Sequence, residues 1–230
     1  LDGLDRGSII YGNASSVTTV LGQGGADEVL TSDGTDIAWA EAAGGGASDI
    51  DGLSDAVTTA TSNIGLGSTS LDSVSGGNYN TAVGINAGTA VTSGDDNVFI
   101  GFEAGDATTD VDKAIIIGSG AGRANMTAAA DGTVLIGYTA GAAITSGGGN
   151  LLIGSGAGKN MTDAYQNVCI GQDAGDALVS CDGSNSRSTN VLIGYKCTDN
   201  STSGEVKKNV IIGANTSTNR TENVFIGSGV

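Results

Sequence analysis

From Asn80 onward, apolar and polar positions recur in blocks. A triplet of mostly apolar residues is followed by Gly, and a polar residue precedes it in all copies but one. The phrase reads Asn80-Thr-Ala-Val-Gly84, Asn97-Val-Phe-Ile-Gly101, Ala114-Ile-Ile-Ile-Gly118, Thr133-Val-Leu-Ile-Gly137 and Asn150-Leu-Leu-Ile-Gly154. It continues as Asn167-Val-Cys-Ile-Gly171, Asn190-Val-Leu-Ile-Gly194, Asn209-Val-Ile-Ile-Gly213 and Asn223-Val-Phe-Ile-Gly227, nine copies in all. β-branched and aliphatic triplets suit strands. A strand alternates its faces, so the first and third residues point one way and the middle one the other. All three are apolar in most copies, which predicts strands buried on both faces.

The residues around each triplet predict how the chain returns. Gly84, Gly101, Gly118, Gly137, Gly154, Gly171, Gly194, Gly213 and Gly227 permit positive φ or close backbone approach, so the chain turns there. Ala follows by three residues in six copies (Ala87, Ala104, Ala121, Ala140, Ala157 and Ala174), and Gly follows by four, which suits a tight corner. Equivalent residues of a parallel stack lie about 4.8 Å apart, and Asn side chains can hydrogen-bond along such a file. Asn80, Asn97, Asn150, Asn167, Asn190, Asn209 and Asn223 are the predicted ladder. The Gly-to-Gly steps of 17, 17, 19, 17, 17, 23, 19 and 14 residues fit two short strands and two turns per coil. The expectation is an all-β parallel β-roll, or β-solenoid, of about nine short coils and roughly 40 Å.

A solenoid of such short coils has no second layer, so only one strand face can be buried by the chain itself. The middle file, Phe99, Ile116, Leu135, Leu152, Cys169, Leu192, Ile211 and Phe225, is read as the face that needs a second cover. Another subunit is the simplest source. The reading is an obligate homotrimer with these residues at its seam.

The first third differs in texture. Gly7–Gly12 begins a strand-like segment that Val17–Leu21 continues, residues 28–34 and 35–39 follow, and Asp33-Gly34 between two β-prone runs signals a hairpin. Trp39 is expected to pack on the hairpin or at a seam between chains. Gly44-Gly-Gly46 is a flexible joint. Beyond it, Ile50, Leu53, Val57, Ala60 and Ile64 are spaced 3, 4, 3 and 4, an apolar seam about two heptads long. The predicted organisation is a hairpin region over 1–45, a Gly/Thr/Ser-rich linker or short three-chain neck over 46–79, and the roll over 80–230.

The repeat resembles the head of trimeric autotransporter adhesins, a left-handed parallel β-roll built as a homotrimer. Similar Asn-Thr-Ala-Val-Gly phrases occur in tail-fibre and other virion proteins of tailed phages, including those of marine cyanobacteria. Residues 28–39, Glu28-Val-Leu-Thr-Ser-Asp-Gly-Thr through Trp39, resemble a second phrase of phage fibres, with Glu28 in place of the usual Gln. The resemblance covers residues 80–230 and departs in spacing, since most steps exceed the 14-residue adhesin repeat. It implies a structural virion fibre, made in the host cytoplasm and displayed on the virion surface as tail fibre or capsid exterior. Its partners would be itself, other virion proteins and a host-surface glycan or protein. A capsid-decorating fibre or knob, the head of a bacterial surface adhesin and a depolymerase tailspike are the rival readings. Receptor contact would fall on the longest loops, 176–189 and 198–208.

Composition narrows the chemistry. Of 230 residues 40 are Gly and none is Pro or His, which removes Ser-His-Asp and Cys-His catalysis and the commonest metal ligand. The net charge of −16 is concentrated in residues 1–112, with one basic and 17 acidic residues, while 113–230 carry eight of each. With no basic stripe, nucleic acid is not an expected partner. No apolar run is long enough for a membrane-spanning helix. Leu1 at the start predicts a processed chain or part of a longer one. Cys169, Cys181 and Cys197 read as free thiols of a reducing compartment, with a Cys181–Cys197 bridge open. Gly154-Ser-Gly-Ala-Gly-Lys159 imitates a phosphate loop, but Ile153 stands at the first Gly position and Asn160 where Ser or Thr is required. Asp95, Asp96, Asp106, Asp110 and Asp112 read as solvated turns, with Ca²⁺ pooled from three chains as the lesser reading. Glu103 and Asp106 could be offered as a glycosidase pair, yet no cleft is legible around them. No enzyme activity, cofactor or metal is predicted.

Overall fold

The computed structural model describes residues 7–13, 15–25, 28–32, 36–41, 56–57, 62–178, 189–197, 208–216 and 222–228. The chain divides into two compact units, Leu1–Ser54 and Asp55–Val230.

The first unit holds two antiparallel pairs. β1 (Ile9–Gly12) pairs with β2 (Thr18–Leu21) from Ile9↔Leu21 to Gly12↔Thr18. β3 (Glu28–Ser32) pairs with β4 (Ile37–Glu41), closing at Ser32↔Ile37. The predicted turn residues Asp33 and Gly34 lie outside the described residues. The Trp39 indole N–H donates to the Gly22 carbonyl at 2.6 Å. A Cβ at Gly24 would stand 2.5 Å from the Trp39 ring, so the indole lies against this backbone and only Gly fits beneath it.

The second unit is an all-β parallel solenoid. It opens with β5 (Ala56–Val57), antiparallel to β6 (Ile64–Leu66). Nine parallel strands then stack on β6: β7 (Thr81–Val83), β8 (Val98–Ile100), β9 (Ile115–Ile117), β10 (Val134–Ile136), β11 (Leu151–Ile153), β12 (Val168–Ile170), β13 (Val191–Ile193), β14 (Val210–Ile212) and β15 (Val224–Ile226). Every pair is in register, as in Val134↔Leu151, Leu135↔Leu152 and Ile136↔Ile153. The 19-residue step between Gly118 and Gly137 keeps this register because a 3₁₀ turn at Ala128–Ala130 absorbs extra residues outside the sheet.

The stack starts one rung earlier than the repeat phrase suggests. Asn63-Ile-Gly-Leu-Gly67 is a tenth copy, with Ile64↔Thr81 and Leu66↔Val83 in register. Gly65 in the middle of its triplet hides it. The heptad-like spacing through Val57 and Ile64 does not build a helical neck there, since both residues sit in strands. Ile50, Leu53 and Ala60 lie outside the described residues.

The interior is narrow and filled from three sides. Ala82, Phe99, Ile116, Leu135, Leu152, Cys169, Leu192 and Ile211 point inward from the strands and are buried. The corner alanines meet them from a second side, and Val91, Ile144, Met161 and Leu178 from a third. Glycine makes room where a side chain is large: Cβ atoms at Gly88 and Gly105 would stand 2.9 and 2.5 Å from the Phe99 ring.

Buried Asn side chains tie rungs together. Asn190 donates through its backbone N–H and its Nδ2 to Asn167 Oδ1 at 3.0 and 2.9 Å, and Asn167 repeats this toward Asn150 Oδ1 at 2.9 and 3.2 Å. The same pair of bonds joins Asn80 to Asn63, Asn97 to Asn80, Asn209 to Asn190 and Asn223 to Asn209. Ala114 interrupts the file but still donates its N–H to Asn97 Oδ1 at 2.8 Å. Replacing Asn167 with Ala removes the acceptor of two inter-rung bonds and two donors in a buried file, and should lower stability by about 2 kcal/mol or more, read by urea denaturation.

Candidate functional site

The outward face of the parallel sheet is the most distinctive surface of the solenoid. Its ten strands each present their first and third residues outward, and of these twenty positions all are Val, Ile or Leu except Thr81. No charged side chain stands among them. They are half-exposed along the stack, for example 38% at Val83 and Ile100, and Val224 and Ile226 of the terminal strand reach 73% and 74%.

This corrects the expected seam. Phe99, Ile116, Leu135, Leu152, Leu192 and Ile211 face the chain's own interior with at most 1% exposure, and Phe225 is half-buried against the same core. The single chain covers the middle residue because the corner Ala and the third-side Val, Ile, Met and Leu close over it. The face left uncovered is the other one.

A third file flanks this face, one residue beyond each turn glycine. It runs in register, because Gly120 N–H donates to the Phe102 carbonyl at 2.9 Å, Gly156 N–H to Tyr138 at 2.8 Å and Asn215 N–H to Tyr195 at 2.8 Å. Ile85, Phe102, Tyr138 and Tyr195 are its large members, and all are exposed. Lys196 Nζ lies 5.4 Å from the Tyr195 ring centroid, within reach of a cation–π contact.

The turn glycines are fixed on two counts. Gly154 has φ +136, and a Cβ there would stand 2.4 Å from the Gly171 carbonyl oxygen of the next rung. Gly84, Gly101, Gly118, Gly137, Gly171 and Gly194 share this geometry, with φ between 128° and 138°. Non-Gly residues also occupy left-handed corners, two positions past that glycine at Glu103, Thr139 and Asp173, just before the Asn at Asp96 and Gln166, and before Ala114 at Lys113.

The charged corners are used within the coil. Gly154 to Lys159, the phosphate-loop look-alike, is such a corner, and Lys159 Nζ reaches Asp173 at 3.2 Å and Asp176 at 3.6 Å in the next coil. Hydrogen bonding to Asp173 raises the Lys159 pKa. Asp95, Asp112 and Asp131 each accept a backbone N–H from the preceding coil, at 2.6 to 2.8 Å. Their carboxylates act as inter-rung acceptors, and among the described residues no group of three or more acidic or Cys side chains is placed to hold a metal ion. Asp110 takes a hydrogen bond from the Thr109 hydroxyl.

Glu103 and Asp106 share a corner with Arg123, whose guanidinium reaches Glu103 at 3.0 Å. Asp106 Oδ1 is buried without a hydrogen-bond partner. Burial raises its carboxyl above the ordinary range, Arg123 acts in the opposite sense, and Glu103 adds to the rise. A raised folded-state pKa means the folded state binds this proton more tightly, so ionised Asp106 weakens the fold at neutral pH. Asp106→Asn should therefore raise the thermal midpoint at pH 7. That gain should shrink as pH falls through the carboxylate range, measured by thermal melts across pH.

Cys169 and Cys197 are buried free thiols. Burial pushes both thiols up, with the Thr216 hydroxyl partly offsetting this at Cys197. They are protonated and unreactive at neutral pH. Cys197, as a free thiol, does not form the bridge considered with Cys181, and Cys181 itself lies outside the described residues, as do most of the long loops 176–189 and 198–208.

No family model, curated protein or solved structure matches this chain. The uncovered face escaped the sequence reading because three apolar residues in a row carry no alternation. One signal was present: the outer positions are almost uniformly β-branched, while the middle ranges from Gly65 to Phe99, as an interior of varying width requires.

Proposed function

We propose that this chain is a non-enzymatic structural subunit of a phage virion fibre, a homotrimer of the tail, whose rod displays loops to a host surface. The observation that carries this reading is the in-register stack of ten rungs with one apolar face uncovered. Ten strands at about 4.8 Å span roughly 43 Å. A rod of this kind suits extension and display. The phage direction comes from the repeat phrase and the Val29-Leu-Thr-Ser-Asp-Gly-Thr35 segment before Trp39, both of which resemble fibre proteins.

Imaging of intact virions that carry the chain tests the reading, with copies counted in the density. Three chains per fibre on the tail is the expected result. Density on the capsid lattice would replace it with a decorating fibre, and a chain found on a bacterial envelope with an anchor downstream would replace it with an adhesin head. Release of sugars from host polysaccharide by the purified protein would overturn the non-enzymatic assignment.

A further inference from the structure

We infer that the exposed file from Phe102 to Ser155 is a docking surface for a proline-rich segment of another protein, one that carries Lys or Arg beside its prolines. The surface stands on this chain's own residues, whereas the source of the segment, a second protein of the same particle, rests on the fibre reading.

Geometry sets the repeat. Bulky and small residues alternate rung by rung along this stretch: Phe102, Ser119, Tyr138 and Ser155. Backbone bonds hold them in register. Gly120 N–H donates to the Phe102 carbonyl at 2.9 Å, Thr139 to Ser119 at 3.0 Å, Gly156 to Tyr138 at 2.8 Å and Asp173 to Ser155 at 2.9 Å. Phe102 and Tyr138 are 50% and 64% exposed, and Ser119 between them is exposed as well. The two rings therefore stand two rungs apart, about 9.6 Å, with a notch between them. A polyproline II helix turns once in three residues of about 3.1 Å each, roughly 9.3 Å. Its successive turns can seat at Ser119 and Ser155 with the Tyr138 ridge between them. A β-strand repeats its face after about 6.8 Å and falls out of step.

Chemistry sets the class. Aromatic-lined grooves take proline-rich segments because their extended form is already set, so docking costs little entropy. Arg123 borders the first notch: a Cβ at Gly120 would stand 2.9 Å from its Cδ, and its guanidinium lies 3.0 Å from Glu103. Lys159 borders the second, with its Cδ 3.5 Å from a Cβ at Gly156 and its Nζ 3.2 Å from Asp173. The exposed guanidinium has N–H groups to spare for the carbonyls that a polyproline II helix leaves free. Glu103, Asp106, Asp173 and Asp176 outnumber the two basic groups on this flank, so a cationic segment is attracted and an anionic one repelled. A neutral glycan would use the rings but not the charge. The chain has no Pro of its own, so the occupant comes from a different protein.

Fluorescence anisotropy on the full chain tests the surface, with a labelled peptide of four Pro-Pro-Lys triplets as the probe. It should bind at least about tenfold more tightly than four Gly-Gly-Lys triplets, which carry the same charge on a flexible backbone. Phe102→Ala with Tyr138→Ala should weaken binding at least about tenfold. Ser119→Phe, which fills the notch and keeps both rings, should do the same. Tyr79→Ala, at a ring of similar exposure before Asn80, should change nothing. All these positions are exposed, so circular dichroism melts of the variants should match the unchanged protein. Equal binding of the two peptides overturns the inference, as does proline-peptide binding that ignores both Ser119→Phe and the double change. Binding of a linear β-glucan hexamer through the same residues, without the peptide, overturns it in favour of a neutral glycan. A change in sedimentation mass on Phe102→Ala with Tyr138→Ala overturns it in favour of a subunit contact. Each of these results leaves the fibre reading standing. Peptide binding by a chain that imaging places off any virion supports the surface and overturns only the source of the segment.

Discussion

Gly154→Val should break the stack at one place. The substitution forces a β-branched residue into φ +136 and drives its Cβ to 2.4 Å from the Gly171 carbonyl oxygen. The obstacle is backbone on both sides, so no side-chain rotation relieves it. Strain of this kind costs about 1–3 kcal/mol, and overpacking against neighbours costs a similar amount again. The expected loss is about 4 kcal/mol, a large share of the stability of an ordinary domain. In a stack where each repeat touches only its neighbours, the damage should concentrate between β11 and β12. Limited proteolysis should therefore cut near residue 154 before any other site in the described stack, and denaturant melts should show the loss. Uniform cleavage along the chain would argue against a one-dimensional stack.

The second large effect separates the two faces of one strand. Leu152 is buried in the chain's own core, and its neighbour Ile153 points out. Leu152→Asp buries a carboxylate with no partner, which should cost at least about 4 kcal/mol and unfold that part of the roll. Ile153→Asp leaves the interior intact, so a single chain should lose less than about 1 kcal/mol. Circular dichroism melts of both variants, run at a concentration where each is monomeric, measure the contrast. Equal losses would mean that the inside and outside of the rung have been exchanged.

That contrast also shows what the sequence could convey. Parallel, in-register rungs were legible because Gly recurs at a fixed distance after each apolar triplet and Asn before it, and each repeat constrains the same local geometry. The inward direction of Phe99 or Leu152 was not legible, because it depends on what faces them across the coil. Val91, Met161 and Leu178 supply that cover from the segments between strands, outside the recurring phrase that marks the rungs. The rung at Ile64–Leu66 was obscured by Gly65, which a strand-propensity reading counts against it. The 3, 4, 3, 4 spacing from Ile50 to Ile64 fitted a heptad by number alone. At Val57 and Ile64 the pairing with neighbouring strands prevails over it.

The inter-rung bonds hold strand to strand, yet the steps between them vary in residue count while the register does not shift. Duplicating or deleting one whole period would thus lengthen or shorten the molecule by a fixed increment of about 4.8 Å. Its faces would keep their orientation, and every new joint would copy an old one. The reach of such a chain is therefore set in steps, like the notches of a ruler, by how many periods it carries.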